Sequence, residues 1–200
     1  MREASITDCL DTLLGGGIVA LPTETVYGLA CLALDENAVQ KVFDLKGRPS
    51  TNPLIVHVLD IEQAEEISFT NPICQELANL FWPGPLTLIL AAHPELPVHL
   101  QNTDGTLAVR YTSSPVAQRL IELGNFPLIG TSANLTGLPE CSTVKQVADQ
   151  LKNQLELIID GGELLANQPS TIVNCSSNKF KILRHGSITL TELNRICEVC

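Results

Sequence analysis

The sequence predicts an α/β domain built on one large, twisted, mixed sheet flanked by helices. Three observations carry that expectation. Short apolar runs of strand length, such as 18–21, 54–59 and 86–91, alternate along the chain with amphipathic stretches of helical period. Hydrophobic residues make up 44% and charged residues 17%, the balance of a chain that folds around a core. Two hundred residues suffice to bury such a core in a single domain, and neither a repeat nor a linker divides them.

The elements follow in order. Ile6, Leu10, Leu13 and Leu14 share one helical face, and Gly15-Gly16-Gly17 stops that helix. Residues 18–21 read as a buried strand ending at Pro22, and 29–34 as a second strand. Asp35 can cap a helix with Ala38, Val39, Val42 and Phe43 on its apolar side, running out near Lys46 with Gly47 and Pro49 beyond. A strand over 54–59 leads to a short acidic helix begun by Asp60, and Asn71-Pro72 supplies a cap and a first-turn proline for the next. Trp82-Pro83-Gly84-Pro85 is a rigid turn into the strand 86–91, followed by a strand over 106–111. Ser114-Pro115 starts a helix to Gly124, and 127–130 is a strand opening into Thr131-Ser132-Ala133-Asn134. A helix over about 143–153 precedes a strand at 157–159, with late strands at 170–173 and 180–183. Thr189-x-x-Glu192 is a capping box for the last helix.

Composition narrows the function classes. A net charge of -10 argues against broad binding to nucleic acid or anionic membranes, yet leaves room for a local cationic pocket that takes a small anion. The start Met1-Arg2-Glu3-Ala4 does not read as an export signal, and no apolar run could span a bilayer, so a cytoplasmic location without membrane contact is expected. Seven cysteines then read as reduced thiols, with Cys9, Cys31 and Cys74 inert in apolar patterns. Cys197-x-x-Cys200 lacks a second ligand pair, so no tightly bound metal site is expected there, only a frayed helical tail.

The chemistry concentrates in loops. Pro22-Thr23-Glu24-Thr25-Val26-Tyr27-Gly28-Leu29, Lys46-Gly47-Arg48-Pro49 and Asn52-Pro53-Leu54 set polar groups between apolar runs. Lys46 and Arg48 taken alone suit the negative end of a helix dipole. Arg110 and Arg184, each closing an apolar strand, are the partners a binding site needs, because strand ends in α/β sheets face the ligand crevice. A mixture of Arg and Lys suits the phosphates of a nucleotide. Thr131 to Asn134 and Ser170-Thr171 either cap turns or bond phosphate and ribose. Neither phosphate-binding glycine fingerprint is present. His57 alternates with apolar neighbours and defaults to a core histidine, and Tyr27 to a core ring with its hydroxyl at the rim. No nucleophile–base arrangement can be placed.

Ordered blocks from about Ser5 to Thr191 resemble the YrdC/TsaC family: the three segments above, Trp82-Pro-Gly-Pro-Leu-Thr87, Val109-Arg110, Ser132-Ala-Asn134 with Gly137, Gly161-Gly162, Ser170-Thr171 and Leu183-Arg184-x-Gly186. The resemblance implies a YrdC-like (DHBP synthase-like) fold around a cationic cavity, spanning residues 5–191, with 192–200 as a helical tail and no additional C-terminal domain. It implies an L-threonylcarbamoyladenylate synthase, a nucleotidyltransferase. Such an enzyme converts L-threonine, bicarbonate and ATP with Mg²⁺ to threonylcarbamoyl-AMP and pyrophosphate, for tRNA modification next to the anticodon. Downstream threonylcarbamoyl-transfer proteins, and a weak tRNA contact, would be its partners.

By the same resemblance Thr25, His57, Arg110 and Ser170 would hold threonine. Lys46, Arg48, Asn52, Thr106, Ser132, Asn134 and Arg184 would hold ATP, with Lys46 and Arg48 catalytic. Replacing either of those two by alanine is expected to lower turnover far more than stability. The chain departs from the family pattern at Glu140, where a serine often helps bind ATP, at Thr136, and at Tyr111-Thr112 after the arginine. An RNA-binding module, a carbamoyl-transfer domain and an inactive paralogue are the competing readings.

Overall fold

A computed structural model describes residues 2–49, 54–151, 154–155, 157–165, 168–177 and 180–196. Asn52, Cys197 and Cys200, and with them the tail expectation, lie outside the described residues. The described strands form one mixed eleven-stranded sheet. In chain order they are β1 Arg2–Glu3, β2 Val19–Leu21, β3 Gly28–Leu32, β4 Ile55–His57, β5 Ser68–Phe69, β6 Leu86–Ala92, β7 Thr106–Arg110, β8 Leu128–Ser132, β9 Leu157–Ile158, β10 Thr171–Asn174 and β11 Lys181–Arg184. Spatially they run β1-β9-β2-β3-β8-β4-β7-β6-β10-β11, with β5 pairing β6. The pairs β1–β9, β2–β9, β4–β7 and β6–β10 are parallel and the others antiparallel.

Among the described residues seven α-helices pack around the sheet: α1 Ile6–Leu14, α2 Glu36–Lys46, α3 Ile61–Glu65, α4 Pro72–Phe81, α5 Pro115–Gly124, α6 Val144–Leu151 and α7 Leu190–Leu193. Their starts follow the local chemistry. Asp35, Asp60, Asn71, Ser114 and Thr189 each accept a hydrogen bond from a first-turn amide, and Ser5 forms a capping box with Asp8. Gly47 closes α2 at φ 57, a left-handed conformation that glycine adopts at little cost, and so turns the chain towards Arg48.

The main core joins one sheet face, with Leu29, Val56, Leu88, Leu107, Val109 and Ile129, to α2, α4 and α6. On the other face α1 and α5 cover only one end, where Cys9, Leu13, Leu120 and Ile121 pack on Val19, Leu21, Ala30 and Leu128. Beyond them that face continues through Gly130, Ile55, Ala108, Ile89 and Ile172, which floor a cavity.

The expected strands and helices recur, with shifted ends. The strand foreseen at 29–34 is Gly28–Leu32, and that at 54–59 shortens to Ile55–His57. The strand foreseen at 127–130 extends through Ser132, because Thr131 and Ser132 pair with Leu29 and Gly28. The late strands begin one residue later than foreseen, at Thr171 and Lys181. The helix foreseen over 143–153 is described only as Val144–Leu151, since 152 and 153 lie outside the described residues. Strands β1 and β5 and the 3-10 turn Val98–Leu100 were not foreseen, being too short to carry a periodic signal.

Candidate active site

The register of the sheet assembles the site. His57 and Arg110 are neighbours across the parallel β4–β7 pair. One step beyond the Leu88–Val109 pairing stands Thr87, which neighbours Ile172, which in turn neighbours Arg184. Side chains at these positions share one face, so four strands bring His57, Arg110, Thr87 and Arg184 into a single row over the cavity floor. The cavity measures about 360 Å³, and Thr25, Arg48, His57, Thr106, Arg110, Ser132, Ser170 and Arg184 all line it. That volume lies within the range of small-molecule sites. Lys46 and Asn134 stand behind the lining rather than in it.

Arg110 is 5% exposed and is oriented by two bonds. Its Nε donates to Gly84 O at 3.1 Å, and its Nη2 pairs with Glu24 Oε1 at 2.5 Å. Glu24 also accepts from the Thr112 hydroxyl and from Ser113 N. Burial raises the pKa of the Glu24 carboxyl, but the Arg110 charge and these hydrogen bonds outweigh it and hold the carboxyl below its ordinary value. Glu24 thereby ties the loop after β2 to the end of β7, a role the sequence reading did not assign. The available signal was Arg110 itself, because a cation closing an apolar strand demands a counter-charge. The departure at Thr112 is absorbed into the same network.

Two further contacts fix that loop. Thr23 Oγ1 donates to Val26 O at 2.6 Å and lies 2.9 Å from Thr25 Oγ1. Tyr27, fully buried, donates its hydroxyl to Gly162 O and accepts from Gly161 N, which explains the Gly161-Gly162 block as an anchor.

Across the row, Arg184 Nε donates to Ser170 O and Nη2 to Ser170 Oγ, which lies 2.8 Å from Thr87 Oγ1. Gly186 makes room for this arrangement. A Cβ there would fall 2.3 Å from Pro169 O and 2.5 Å from Thr171 N, both backbone atoms that cannot yield cheaply.

Lys46 was expected among the groups facing ligand, and the structure places it otherwise. The side chain is buried, and its Nζ donates to Ser132 O, to Asn134 O at 2.8 Å and to Asn134 Oδ1 at 3.2 Å. An ammonium has three donors, and all three are engaged. Asn134 in turn donates through Nδ2 to Leu135 O and Leu138 O. Lys46 therefore clamps the turn after β8 and presents Ser132 to the cavity. Arg48 lines the cavity directly, as does Glu140, whose charge bears on both Lys46 and Arg184.

His57 is buried beside Arg110, and its Nδ1 is one of two buried side-chain polar atoms among the described residues without a hydrogen-bond partner. Burial and the Arg110 charge push its pKa down to about 3, so the ring is neutral throughout the physiological range. Its free-chain value is 6.5, so on acidification the unfolded chain takes up the proton first. The stability contributed by neutral His57 is complete above pH 6.5 and falls progressively down to about pH 3. A series of denaturation curves over that range should show the loss, and His57→Gln should flatten it. Gly130 gives the ring its place, since a Cβ there would lie 2.1 Å from His57 Cδ2 and Nε2. Gly130→Ala should displace the ring at a cost of about 1–3 kcal/mol, read by urea denaturation.

Comparison with known proteins identifies the framework. A family model named for Sua5, YciO and YrdC, and described as "Telomere recombination", matches residues 11–186. The chain belongs to the Sua5/YciO/YrdC family. A threonylcarbamoyl-AMP synthase of Pyrococcus abyssi is 42% identical over 182 residues, which cover 90% of this chain and 54% of that protein. Another of Vibrio vulnificus is 34% identical over 186 residues, covering 92% and 99%. The chain thus spans about half the length of the first relatives it matches and nearly all of some others. Among solved structures, P. abyssi Sua5 complexed with L-threonine superposes with a TM-score of 0.91 at 39% identity, over 96% of this chain and 57% of that one. E. coli YciO superposes at 0.86 with 26% identity, over 94% and 92%. The Sua5/YciO/YrdC framework is therefore the single-domain α/β fold with a large mixed sheet that the sequence led one to expect.

Proposed function

We propose that this chain is a threonylcarbamoyl-AMP synthase, joining L-threonine, bicarbonate and ATP with release of pyrophosphate. The observation that carries this reading is the row that sets His57, Arg110 and Arg184 over the cavity floor, with Ser170 and Arg48 lining the same space. A small amino acid and a polyanion need those two kinds of group side by side.

Arg110, oriented by Glu24, takes the threonine carboxylate through its remaining N–H groups. Neutral His57 offers Nδ1 to the polar groups of threonine, with Thr25 and Ser170 completing the subsite. Arg48, Arg184, Thr106 and Ser132 hold ATP, with Asn52 as a further expected ligand. Lys46 and Asn134 act as positioning residues behind Ser132. The threonine amine attacks the carbon of bicarbonate, a C–O bond of that carbon breaks, and its hydroxyl leaves as water with a proton from the amine, giving the N-carboxylate (carbamate). A carbamate oxygen then attacks the α-phosphorus, the bond to the β-phosphate oxygen breaks, and pyrophosphate leaves. Charge gathers on oxygens near Arg48 and Arg184, so catalysis is positioning and electrostatic stabilisation, with no protein nucleophile.

Magnesium arrives with the nucleotide. Among the described residues no cluster of three or more His, Cys, Asp or Glu could hold a metal, but Glu140 offers one hard oxygen donor at the cavity. The product would pass to proteins that threonylcarbamoylate tRNA beside the anticodon, in the cytoplasm, with at most a weak tRNA contact by this chain. No described helix is long and apolar enough to cross a membrane. Residues 5–191 are the unit to which we assign the activity.

The test is pyrophosphate release from ATP that requires both threonine and bicarbonate. Serine, lacking one methyl, should be used roughly 10- to 200-fold less efficiently. Release indifferent to threonine, or none from folded protein, would overturn the assignment.

A further inference from the structure

The second buried polar atom without a partner among the described residues is Asn102 Oδ1. It belongs to a rigid turn at the start of β7. Asn102 N donates to Thr106 O at 2.6 Å, and Gly105 N donates to Asn102 O at 3.0 Å. The side-chain amide has a defined orientation. Thr106 Oγ1 gives its hydrogen to Asp104 Oδ1 at 2.7 Å, so towards Asn102 it can only accept, and Asn102 Nδ2 donates to it at 2.7 Å. Oδ1 is left as a fixed acceptor, and Asn102, Asp104 and Thr106 all line the cavity.

This end of the cavity offers acceptors: an amide carbonyl and a carboxylate. The opposite end of β7, four residues and roughly 13 Å along the strand, offers the guanidinium of Arg110, with that of Arg184 in the same row. Phosphates are repelled by the first end and held near the second. A ligand that fits both is anionic at one end and carries N–H donors at the other, which describes a nucleotide whose base has an exocyclic amine. We propose that Asn102 Oδ1 accepts a hydrogen bond from the 6-amino group of the bound base and so selects a 6-aminopurine over a 6-oxopurine. The proposal rests on the nucleotide-binding reading above. A 6-oxo group would set a carbonyl against a carbonyl and leave Asn102 Oδ1 buried and unpaired.

The experiment compares equilibrium binding of ATP, ITP and N6,N6-dimethyl-ATP, each with Mg²⁺, to the full chain and to Asn102→Leu and Asn102→Asp. The wild-type chain should bind ATP roughly 5- to 150-fold more tightly than either analogue, the range expected for leaving one buried acceptor unsatisfied. Asn102→Leu should reduce the ATP-to-ITP ratio towards unity, while Asn102→Asp, which keeps an acceptor, should retain a preference for ATP. The dimethyl analogue tests the point in the wild-type chain even where the leucine variant fails to fold. Tight but equal binding of all three nucleotides would overturn the role of Asn102 while leaving the nucleotide site standing. An ATP preference undiminished in folded Asn102→Leu would also overturn it. Failure of every nucleotide to bind would overturn both readings.

Discussion

Arg110→Met is expected to lower stability by about 3–5 kcal/mol and to abolish threonine binding. The stability loss comes from what is left behind. Glu24, with a side chain only 18% exposed, would lose the charge that compensates its burial and keep uncharged partners such as the Thr112 hydroxyl and Ser113 N. Neutralising both members should separate the two effects, because replacing a buried pair by apolar groups is far less costly than breaking it. Arg110→Met/Glu24→Leu should therefore recover most of the stability in urea denaturation and none of the threonine binding in calorimetry. The pair also has a pH signature. The folded-state pKa of Glu24 is depressed below 4.5, so its contribution is complete above that pH and lost as the pH falls through the folded value. Recovery of threonine binding in the double variant would show that Arg110 is only a structural counter-ion.

Lys46→Met should be the second most damaging change, and it should act on both stability and nucleotide binding. From the sequence alone this residue was expected to matter for turnover and little for folding. The contacts of Nζ add a cost to folding, because removing it leaves Ser132 O, Asn134 O and Asn134 Oδ1 without their shared donor. At about 1–3 kcal/mol for a buried group left unsatisfied, several kcal/mol are at stake. Arg48→Ala, in contrast, should still affect turnover more than stability, since Arg48 lines the cavity. Burial, and then repulsion from Arg48, push the Lys46 ammonium down to about 8, so it remains charged at neutral pH. Between pH 8 and 10.5 the unfolded chain holds the extra proton, and the stability contributed by this group rises with pH. Over the same interval the clamp loses a donor and ATP binding should weaken. Opposite slopes of stability and affinity, both absent in Lys46→Met, are the signature to measure.

Local rules made most of the fold legible. Asp35, Asn71-Pro72, Ser114-Pro115 and the Thr189–Glu192 box announce helix starts through hydrogen bonds made within a turn, and the structure has each of them. Strand order was not legible, because pairings such as β3 with β8 join segments about a hundred residues apart and leave no local trace. In the site, the cations and hydroxyls were visible as anomalies among apolar runs. Which of them face the cavity depended on register, and so did the row linking His57 to Arg184. Glu24 and Asn102 escaped notice because acidic and amide residues in loops are ordinary. Only the buried guanidinium beside one, and the unpaired carbonyl oxygen of the other, mark them as special.

The most direct test of the central claim supplies ATP and Mg²⁺ with labelled bicarbonate and labelled threonine. It is run in parallel on the native chain and on folded Arg110→Met/Glu24→Leu. The native chain should yield an adenylate carrying one threonine and one bicarbonate carbon, together with one pyrophosphate, and the double variant should yield none. An adenylate formed equally by both, or no labelled adenylate from the native chain, would contradict the account.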